Sequence, residues 1–161
     1  STRLAEPSTA YTAGLIHDLG KFALAYANFS ALDEIASRVP DEFSTWREAE
    51  LAILGYDSAQ VTQALLQNWG FPDSFVSVGF HYQKPSLAPE EHRNLATLIH
   101  ASKHVATQLG YGVGIDGYYT DPDEEALKKA GFKEAELDAA IPEILQTIQR
   151  FINPAGEINF A

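Results

Sequence analysis

A sequence of 161 residues, of which 45% are hydrophobic and 20% charged, is long enough for one globular domain and too apolar for a disordered chain. Lysine and arginine number 11 against 22 aspartate and glutamate residues, and the resulting net charge of −11 disfavours nucleic acid as a partner. No cysteine is present, which excludes disulfides, thiolate metal sites and a cysteine nucleophile, and no apolar run approaches the roughly 20 residues needed to cross a bilayer.

Three helices are predicted in the first part of the chain. Apolar residues at helical spacing indicate helices over residues 8–19, 21–27 and 30–38. Gly20 is predicted to end the first helix and Pro40 to stop the third, because glycine and proline commonly follow a helix.

Side-chain caps mark the next two helices. Thr45 and Glu48 have the spacing of a capping box, which predicts a helix that begins there and ends at Gly55. Asp57 is predicted to cap a second helix, which stops at Gly70.

Prolines mark the later helices. These helices are predicted over residues 72–82, 89–109, 122–130 and 133–152. Pro72 and Pro89 suit the first turns of the first two, and Pro142 is predicted to kink or restart the last. A glycine-rich loop over residues 110–117 separates the long helix from the final pair. Because no strand alternation persists, the sequence predicts an all-α protein with a single domain over residues 1–161.

Helical phase places several polar side chains among apolar ones. At 100° per residue, Ser102 lies within an apolar stripe of the long helix, and Ser58 lies on the inner face of its own helix. Asp18 is also in phase with apolar residues. Burying a carboxylate alone is very costly, so Asp18 is expected to have a partner, and His17 and Lys21 are the local candidates.

A doublet and the residues that follow it resemble a known family. The segment from Ala13 to Lys21 contains the doublet His17-Asp18 and is similar to the corresponding segment of the HD superfamily of metal-dependent phosphohydrolases. Residues further along narrow the resemblance to the HDOD family, the HD-related output domains of bacterial signalling proteins. These residues are Glu50, Leu54-Gly55-Tyr56-Asp57, Leu65-Leu66, Trp69-Gly70-Phe71-Pro72 and His81.

The resemblance extends from about residue 11 to residue 109 and implies an HD-domain-like helical bundle. HDOD domains usually have a helical layer before the His-Asp segment, whereas this chain begins almost at that segment. The chain also begins with Ser1 and contains no methionine. We therefore expect it to be an excised fragment that forms the C-terminal part of a larger domain.

The resemblance also implies a metal site that is only partly kept. Active HD enzymes hold a divalent metal with an upstream histidine, the His-Asp doublet and a later aspartate. Here no histidine precedes the doublet, and the expected histidine or aspartate is replaced at Ser58, Tyr82 and Ser102. The vestigial ligand set is then His17, Asp18 and His81. Around it, we expect the site to include Lys21, Glu50, Ser58, Trp69, Tyr82 and Ser102.

Two strong ligands and a third at His81 would bind a metal ion weakly. No cofactor is therefore expected, and a divalent ion, Mn²⁺, Fe²⁺ or Mg²⁺, is the alternative. For His17 and Asp18 a structural role in the last turn of a helix is favoured over ligation. His81 is expected to lie at the edge of the core among aromatic residues.

Two other patterns match ligand-binding motifs but are predicted not to bind a ligand. His100 and His104 are spaced i, i+4, but their phase places them opposite the apolar stripe, which predicts a solvated face. Gly112, Gly114 and Gly117 match a dinucleotide fingerprint by letter, yet a helix and not a strand precedes them, so a loop is predicted.

Two further patterns are predicted to have a structural role and not a binding role. The acidic run over residues 121–125 suits the first turn of a helix better than a calcium loop, because it complements the helix dipole and lacks the required glycine. Trp69 and Phe71 could mark a partner surface but are predicted to belong to the core.

The residues and the resemblance together favour a signalling output domain that acts through protein–protein contacts and lacks hydrolase activity. The expected partner is a protein of a bacterial signalling pathway, such as a response-regulator system, and contact is expected at surfaces that flank the former active-site cleft. A cytoplasmic location is expected, with no nucleic-acid or membrane partner, and a homodimer is left open.

The alternative function is a divalent-metal-dependent phosphohydrolase that acts on nucleotides or cyclic dinucleotides. In that case His17 and Asp18 would be metal ligands and Lys21 would lie near the phosphate.

Overall fold

The computed structural model describes residues 4–111, 117, 120–129, 131 and 133–152, and no β-strand occurs among them. The predicted all-α class is thereby confirmed. The first seven helices are α1 (Pro7–Ile16), α2 (Leu19–Ala27), α3 (Phe29–Glu42), α4 (Trp46–Leu54), α5 (Ser58–Asn68), α6 (Asp73–His81) and α7 (Glu90–Gln108). A single 3₁₀ turn over Pro85–Leu87, which the sequence did not predict, joins α6 to α7.

Both predicted side-chain caps are present. The Thr45 hydroxyl accepts the Glu48 backbone N–H, and the Glu48 carboxylate accepts the Thr45 N–H in return. Asp57 forms the same reciprocal arrangement at the start of α5. Gly55 ends α4 in the left-handed region at a φ of 81°, which costs least for glycine. These boundaries rest on contacts within four residues and are therefore visible in the sequence.

The predicted helix stop at Gly20 is wrong. α1 ends at Ile16 and α2 begins at Leu19, so Gly20 lies in the first turn of α2. A Cβ at Gly20 would lie 1.9 Å from the Ser58 carbonyl oxygen, and the Gly20 N–H donates to the Thr62 hydroxyl at 2.8 Å. Glycine is therefore required there for the close approach of α2 to α5.

The predicted stop at Pro40 is also wrong, because α3 continues through it to Glu42. Proline removes one backbone hydrogen bond from the helix. The last turn is retained nonetheless, since buried Val39 packs against α4.

The helices of residues 4–129 surround two apolar clusters. α5 packs between α2 and α6, and α7 packs on α6 and α1. The larger cluster joins α1, α6 and α7 through Ala13, Val78, Tyr82, Ala88, Leu95, Ala96 and Ile99. The smaller one joins α3 to α4 through Ile35, Val39 and Ala49. This packing brings the α1–α2 break, the end of α6 and the second half of α7 to one place.

The chain divides into two compact units, residues 1–130 and 131–161, and the prediction of a single domain stays a prediction. The first unit also contains α8 (Glu124–Lys129). The second contains α9 (Glu134–Ile152), which runs through Pro142 without the restart that the sequence allowed. Across the described residues, no helix combines the length and the apolar character that a membrane span requires.

Candidate functional site

Asp18 lies at the break between α1 and α2, and its carboxylate is bonded by three side chains, one on α2, one after α6 and one on α7. Its Oδ2 atom lies 3.1 Å from Lys21 Nζ on α2 and 3.0 Å from Lys103 Nζ on α7. Its Oδ1 atom accepts the Tyr82 hydroxyl at 2.7 Å. The expectation that Asp18 needs a partner, with Lys21 as one candidate, is confirmed. We call Asp18, Lys21, Tyr82 and Lys103 the Asp18 cluster.

Tyr82 is the buried centre of this cluster. Its hydroxyl, besides donating to Asp18, accepts an N–H from Gln83 at 3.0 Å. The Lys103 ammonium lies 5.0 Å from the centre of the Tyr82 ring, a cation–π distance. The His17 ring packs edge-on against the same ring at 4.8 Å. His17 donates from Nδ1 to the Gly14 carbonyl oxygen at 2.7 Å, so its hydrogen bond is local to α1.

The charges of the cluster fix its protonation state. Burial opposes ionisation of Asp18, but the ammonium groups of Lys21 and Lys103 hold the pKa of its carboxyl well below its usual range. Burial lowers the pKa of Lys103, and the adjacent Asp18 offsets part of that effect. Burial also raises the pKa of Tyr82 far above its usual range, so that its hydroxyl keeps its proton. Asp18 is thus a carboxylate held by three donors.

A fully buried carboxylate, Glu50, ties α4 to α5. It accepts hydrogen bonds from the Ser58 N–H at 2.8 Å, the Ser58 hydroxyl at 2.9 Å and the Trp46 indole N–H at 3.0 Å. Burial raises the pKa of Glu50, while these donors and the charge of nearby Lys21 act in the opposite direction. Glu50 and Ser58 were both predicted to belong to the site, and the structure brings them together as partners.

A cleft of about 330 Å³ opens beside the Asp18 cluster. One wall is the start of α4, with Trp46, Arg47 and Leu51. The rest comes from α2, the segment after α6, α7 and the segment before α8. Those residues include Lys21, Tyr82, Lys84, Lys103, His104 and Asp121. We call this space the α4–α7 cleft.

Several residues chosen from the sequence lie elsewhere. Ser102 is exposed and donates to the Leu98 carbonyl oxygen, so its predicted inward orientation is wrong. Trp69 is 56% exposed and does not line the cleft, which corrects its assignment to the core.

Two further histidines, His100 and His81, each donate a hydrogen bond to a backbone carbonyl oxygen. His100 was predicted to be solvated, but it is buried, donates from Nδ1 to the Tyr82 carbonyl oxygen and accepts the Asp123 N–H at Nε2. Partly buried His81 donates to the Ser77 carbonyl oxygen at 3.0 Å and packs against Phe80. The His81 side chain therefore makes these contacts within its own helix, α6, and takes no part in the hydrogen bonds of Asp18.

The donor set does not suit a divalent metal. In the described part of the chain, no group of three His, Asp or Glu side chains has a geometry that could hold an ion. Asp18, the strongest candidate ligand, already accepts from two ammonium groups and a phenol. A metal ion would have to displace these donors and then lie beside their positive charges.

Lys103 belongs to the Asp18 cluster but was not predicted from the sequence. The equivalent of a late ligand was predicted at Ser102, one residue away. A signal was present, since Ala96, Ile99, His100 and Lys103 share a second helical stripe on α7. α7 is covered on two sides, so besides its apolar stripe it has a second inward face, which carries Lys103.

The comparisons with known proteins agree with the resemblance seen in the sequence. A family model described as the HDOD domain matches residues 1–85, which is more than half of the chain. No curated protein sequence and no solved structure gave a match.

Proposed function

Since the chain belongs to the HDOD family, we propose that it is a signalling output domain that acts through protein contacts and does not hydrolyse phosphoesters. One observation carries the proposal: the Lys103 ammonium lies 3.0 Å from the Asp18 carboxylate, the residue on which a metal site would depend.

A metal ion at Asp18 would lie beside two positive charges. Two unit charges of the same sign at about 4 Å repel by about 4 kcal/mol at the effective dielectric constant of a protein surface. A divalent ion near Lys21 and Lys103 would meet twice that repulsion from each ammonium group, with only one carboxylate to attract it. Without a bound metal, no group in the Asp18 cluster lowers the pKa of a water molecule enough to make it a nucleophile at neutral pH.

The same contacts support a structural role. Asp18 joins the α1–α2 break to Tyr82, after α6, and to Lys103 on α7, residues 64 and 85 positions away. A hydrogen bond to a charged group contributes about 1.5–3 kcal/mol when both partners are well placed. The cluster therefore fixes the relative position of the helices around the α4–α7 cleft. Surfaces beside that cleft are, in this proposal, the ones that contact a protein of a bacterial signalling pathway.

Calorimetry of the full chain with Mn²⁺ is the direct test. The proposal predicts no heat of binding up to millimolar Mn²⁺, for the wild type and for Asp18→Ala alike. Glu42→Ala is the matched control, because it removes an exposed carboxylate on α3 outside the cleft. A binding heat in the wild type and in Glu42→Ala, lost in Asp18→Ala, would contradict the proposal.

A screen of phosphodiester and nucleotide substrates with Mn²⁺ separates the two functions. The proposed output domain shows no turnover above the rate of Mn²⁺ alone. Turnover that is present in the wild type and vanishes in Asp18→Ala would establish the phosphohydrolase instead.

A further inference from the structure

The α4–α7 cleft is rich in positive charge although the chain is acidic. Of the sixteen residues that line it, four are lysine or arginine, whereas the whole chain has only 11 such residues among 161. These four are Lys21, Arg47, Lys84 and Lys103. A concentration of cations in a concave site of an acidic protein favours the entry of an anion.

Arg47 is held in a way that leaves part of its guanidinium for a ligand. Its Nε atom donates to Asp57 Oδ2 at 2.5 Å, and Asp57 is fully buried as the cap of α5. No hydrogen bond from Nη1 or Nη2 of Arg47 is found in the described part of the chain. A guanidinium anchored through Nε and open at its terminal nitrogens can bind two oxygens of a phosphate or carboxylate.

Lys84 supplies a second cation whose present partner is exchangeable. It pairs with Asp121 at 2.5 Å, and both side chains are exposed, at 37% and 62% respectively. Exposed ion pairs of this kind contribute little, about 0–1 kcal/mol. The oxygens of a ligand can therefore replace Asp121 at small cost.

Two carboxylates also line the cleft and must be weighed against the cations. Glu48 Oε2 accepts the backbone N–H groups of Ser44 and Thr45, and Asp121 is paired with Lys84. Both charges are thus partly compensated by their own donors. Asp18 and Asp57 bond the cations without lining the cleft.

An apolar wall completes the site. Trp46 lines the cleft with its indole N–H bonded to Glu50 at 3.0 Å, which fixes the ring, and Leu51 lies on the same helix. The volume of about 330 Å³ is at the lower end of the range for small-molecule sites. It suits an acidic head group joined to one or two flat rings.

We propose that the α4–α7 cleft binds a small organic anion, with a phosphate or carboxylate head at Arg47 and Lys84 and a flat apolar body against Trp46. This binding site goes beyond the proposed output function. A ligand here would contact α2, α4 and α7 at once, and so would connect a small molecule to the helices that the Asp18 cluster holds.

Titration of the ¹⁵N-labelled full chain, followed by the two tryptophan indole N–H resonances, tests this site. The probes are 1-naphthyl phosphate, 1-naphthoate and the neutral 1-naphthol. Trp69→Phe assigns the two resonances, and Trp69 is an internal control because it lies outside the cleft. The proposal predicts that the Trp46 resonance shifts saturably with at least one of the two anions, that the Trp69 resonance stays in place, and that 1-naphthol binds at least about tenfold more weakly.

Substitutions of the cationic residues test which of them bind the anion. Arg47→Met is expected to weaken binding by about tenfold or more, and Arg47→Lys, which keeps the charge and loses the fork, by a smaller factor. Arg47→Met leaves buried Asp57 without its partner, so Lys84→Met is the second variant, expected to weaken binding by about threefold without affecting the fold. Arg38→Met is the matched control, because it removes a guanidinium on α3 outside the cleft and should leave binding unchanged.

Three results would overturn the site: no shift of the Trp46 resonance with either anion at 10 mM (roughly the weakest affinity of interest), equal binding of 1-naphthol, or wild-type affinity in both Arg47→Met and Lys84→Met. Comparison of the two anions distinguishes a phosphate ligand from a carboxylate ligand. Hydrolysis of 1-naphthyl phosphate with Mn²⁺ would contradict the proposed function and leave the binding site intact, so the two proposals fail separately.

Discussion

Two clusters in this protein each contain three charges. One has a cation between two carboxylates and the other a carboxylate between two cations, and their surroundings differ. On α3, Arg38 bonds Glu34 at 3.0 Å and Glu42 at 2.7 Å, with all three partners within one helix and exposed. In the Asp18 cluster, one carboxylate bonds two lysines at similar distances, but Lys103 is 85 residues away and the side chains are only 22–23% exposed.

The difference shows that distance alone does not measure what an ion pair contributes. The α3 cluster is surrounded by water and salt, which screen its charges, and its spacing is that of ordinary i, i+4 pairs. The side chains of the Asp18 cluster are largely withdrawn from water, so that loss of Asp18 removes the acceptor shared by two ammonium groups and a hydroxyl. The contrast between these two clusters makes the account testable.

The largest effect is expected from Gly20→Ala, which displaces the backbone that carries Asp18. Its Cβ would lie 1.9 Å from the Ser58 carbonyl oxygen, so α2 and α5 must move apart. We expect a loss of about 3 kcal/mol or more in the free energy of unfolding, measured with urea.

Gly14→Ala is the matched control for Gly20→Ala. Gly14 lies within α1 and nothing lies within 4 Å of a Cβ there. Alanine should therefore stabilise the protein by about 0.5–1 kcal/mol through helix propensity. Equal effects at both glycines would contradict the close approach of α2 to α5.

The next effect is expected from Asp18→Ala in EDTA. Removal of the carboxylate takes away the acceptor that Lys21, Lys103 and Tyr82 share, and a loss of about 1–3 kcal/mol in the free energy of unfolding is expected. If Asp18 were instead a ligand in an empty and repulsive metal site, the same substitution would be neutral or stabilising without metal.

Asp18 also makes a defined contribution to the pH dependence of stability. Its pKa is lowered in the folded protein, so the unfolded chain takes up a proton first as the pH falls. The stability that Asp18 contributes is present above about pH 4 and decreases below it. The difference in unfolding free energy between the wild type and Asp18→Asn should therefore be constant near neutral pH and shrink in acid. A difference that grows in acid would have the wrong sign.

The smallest effect is expected at the α3 cluster. Glu42→Ala should leave the urea midpoint within experimental error of the wild type, because the pair that it breaks is exposed. Raising the salt concentration should remove any remaining difference for Glu42→Ala and only slightly reduce that for Asp18→Ala. A larger loss for Glu42→Ala than for Asp18→Ala would reverse the comparison.

The same contrast explains which features could be predicted from the sequence. The capping boxes at Thr45 and Asp57 depend on residues three positions apart, and both are present as predicted. The stop at Gly20 was wrong because that glycine serves a contact with α5, 42 residues away in the case of Thr62. A local rule could not distinguish a glycine that ends a helix from one that allows two helices to approach.

The candidate site divides in the same way. Asp18 and its neighbour Lys21 could be paired from their spacing of three residues. Lys103 could not, because its contact depends on how α7 packs against both α1 and α6. His100 was misplaced for the same reason, since the helix face that carries it is covered by the segment before α8. The family resemblance indicated where the site lies, and the long-range contacts determine what it contains.

A double-mutant cycle on Asp18 and Lys103 tests the central claim most directly. The free energies of unfolding of the wild type, Asp18→Ala, Lys103→Met and the double variant are measured in EDTA. The account predicts a favourable coupling of about 1–2 kcal/mol, because the two side chains are in contact and partly buried. A coupling indistinguishable from zero would contradict the account, and so would a Lys103→Met variant that is more stable than the wild type.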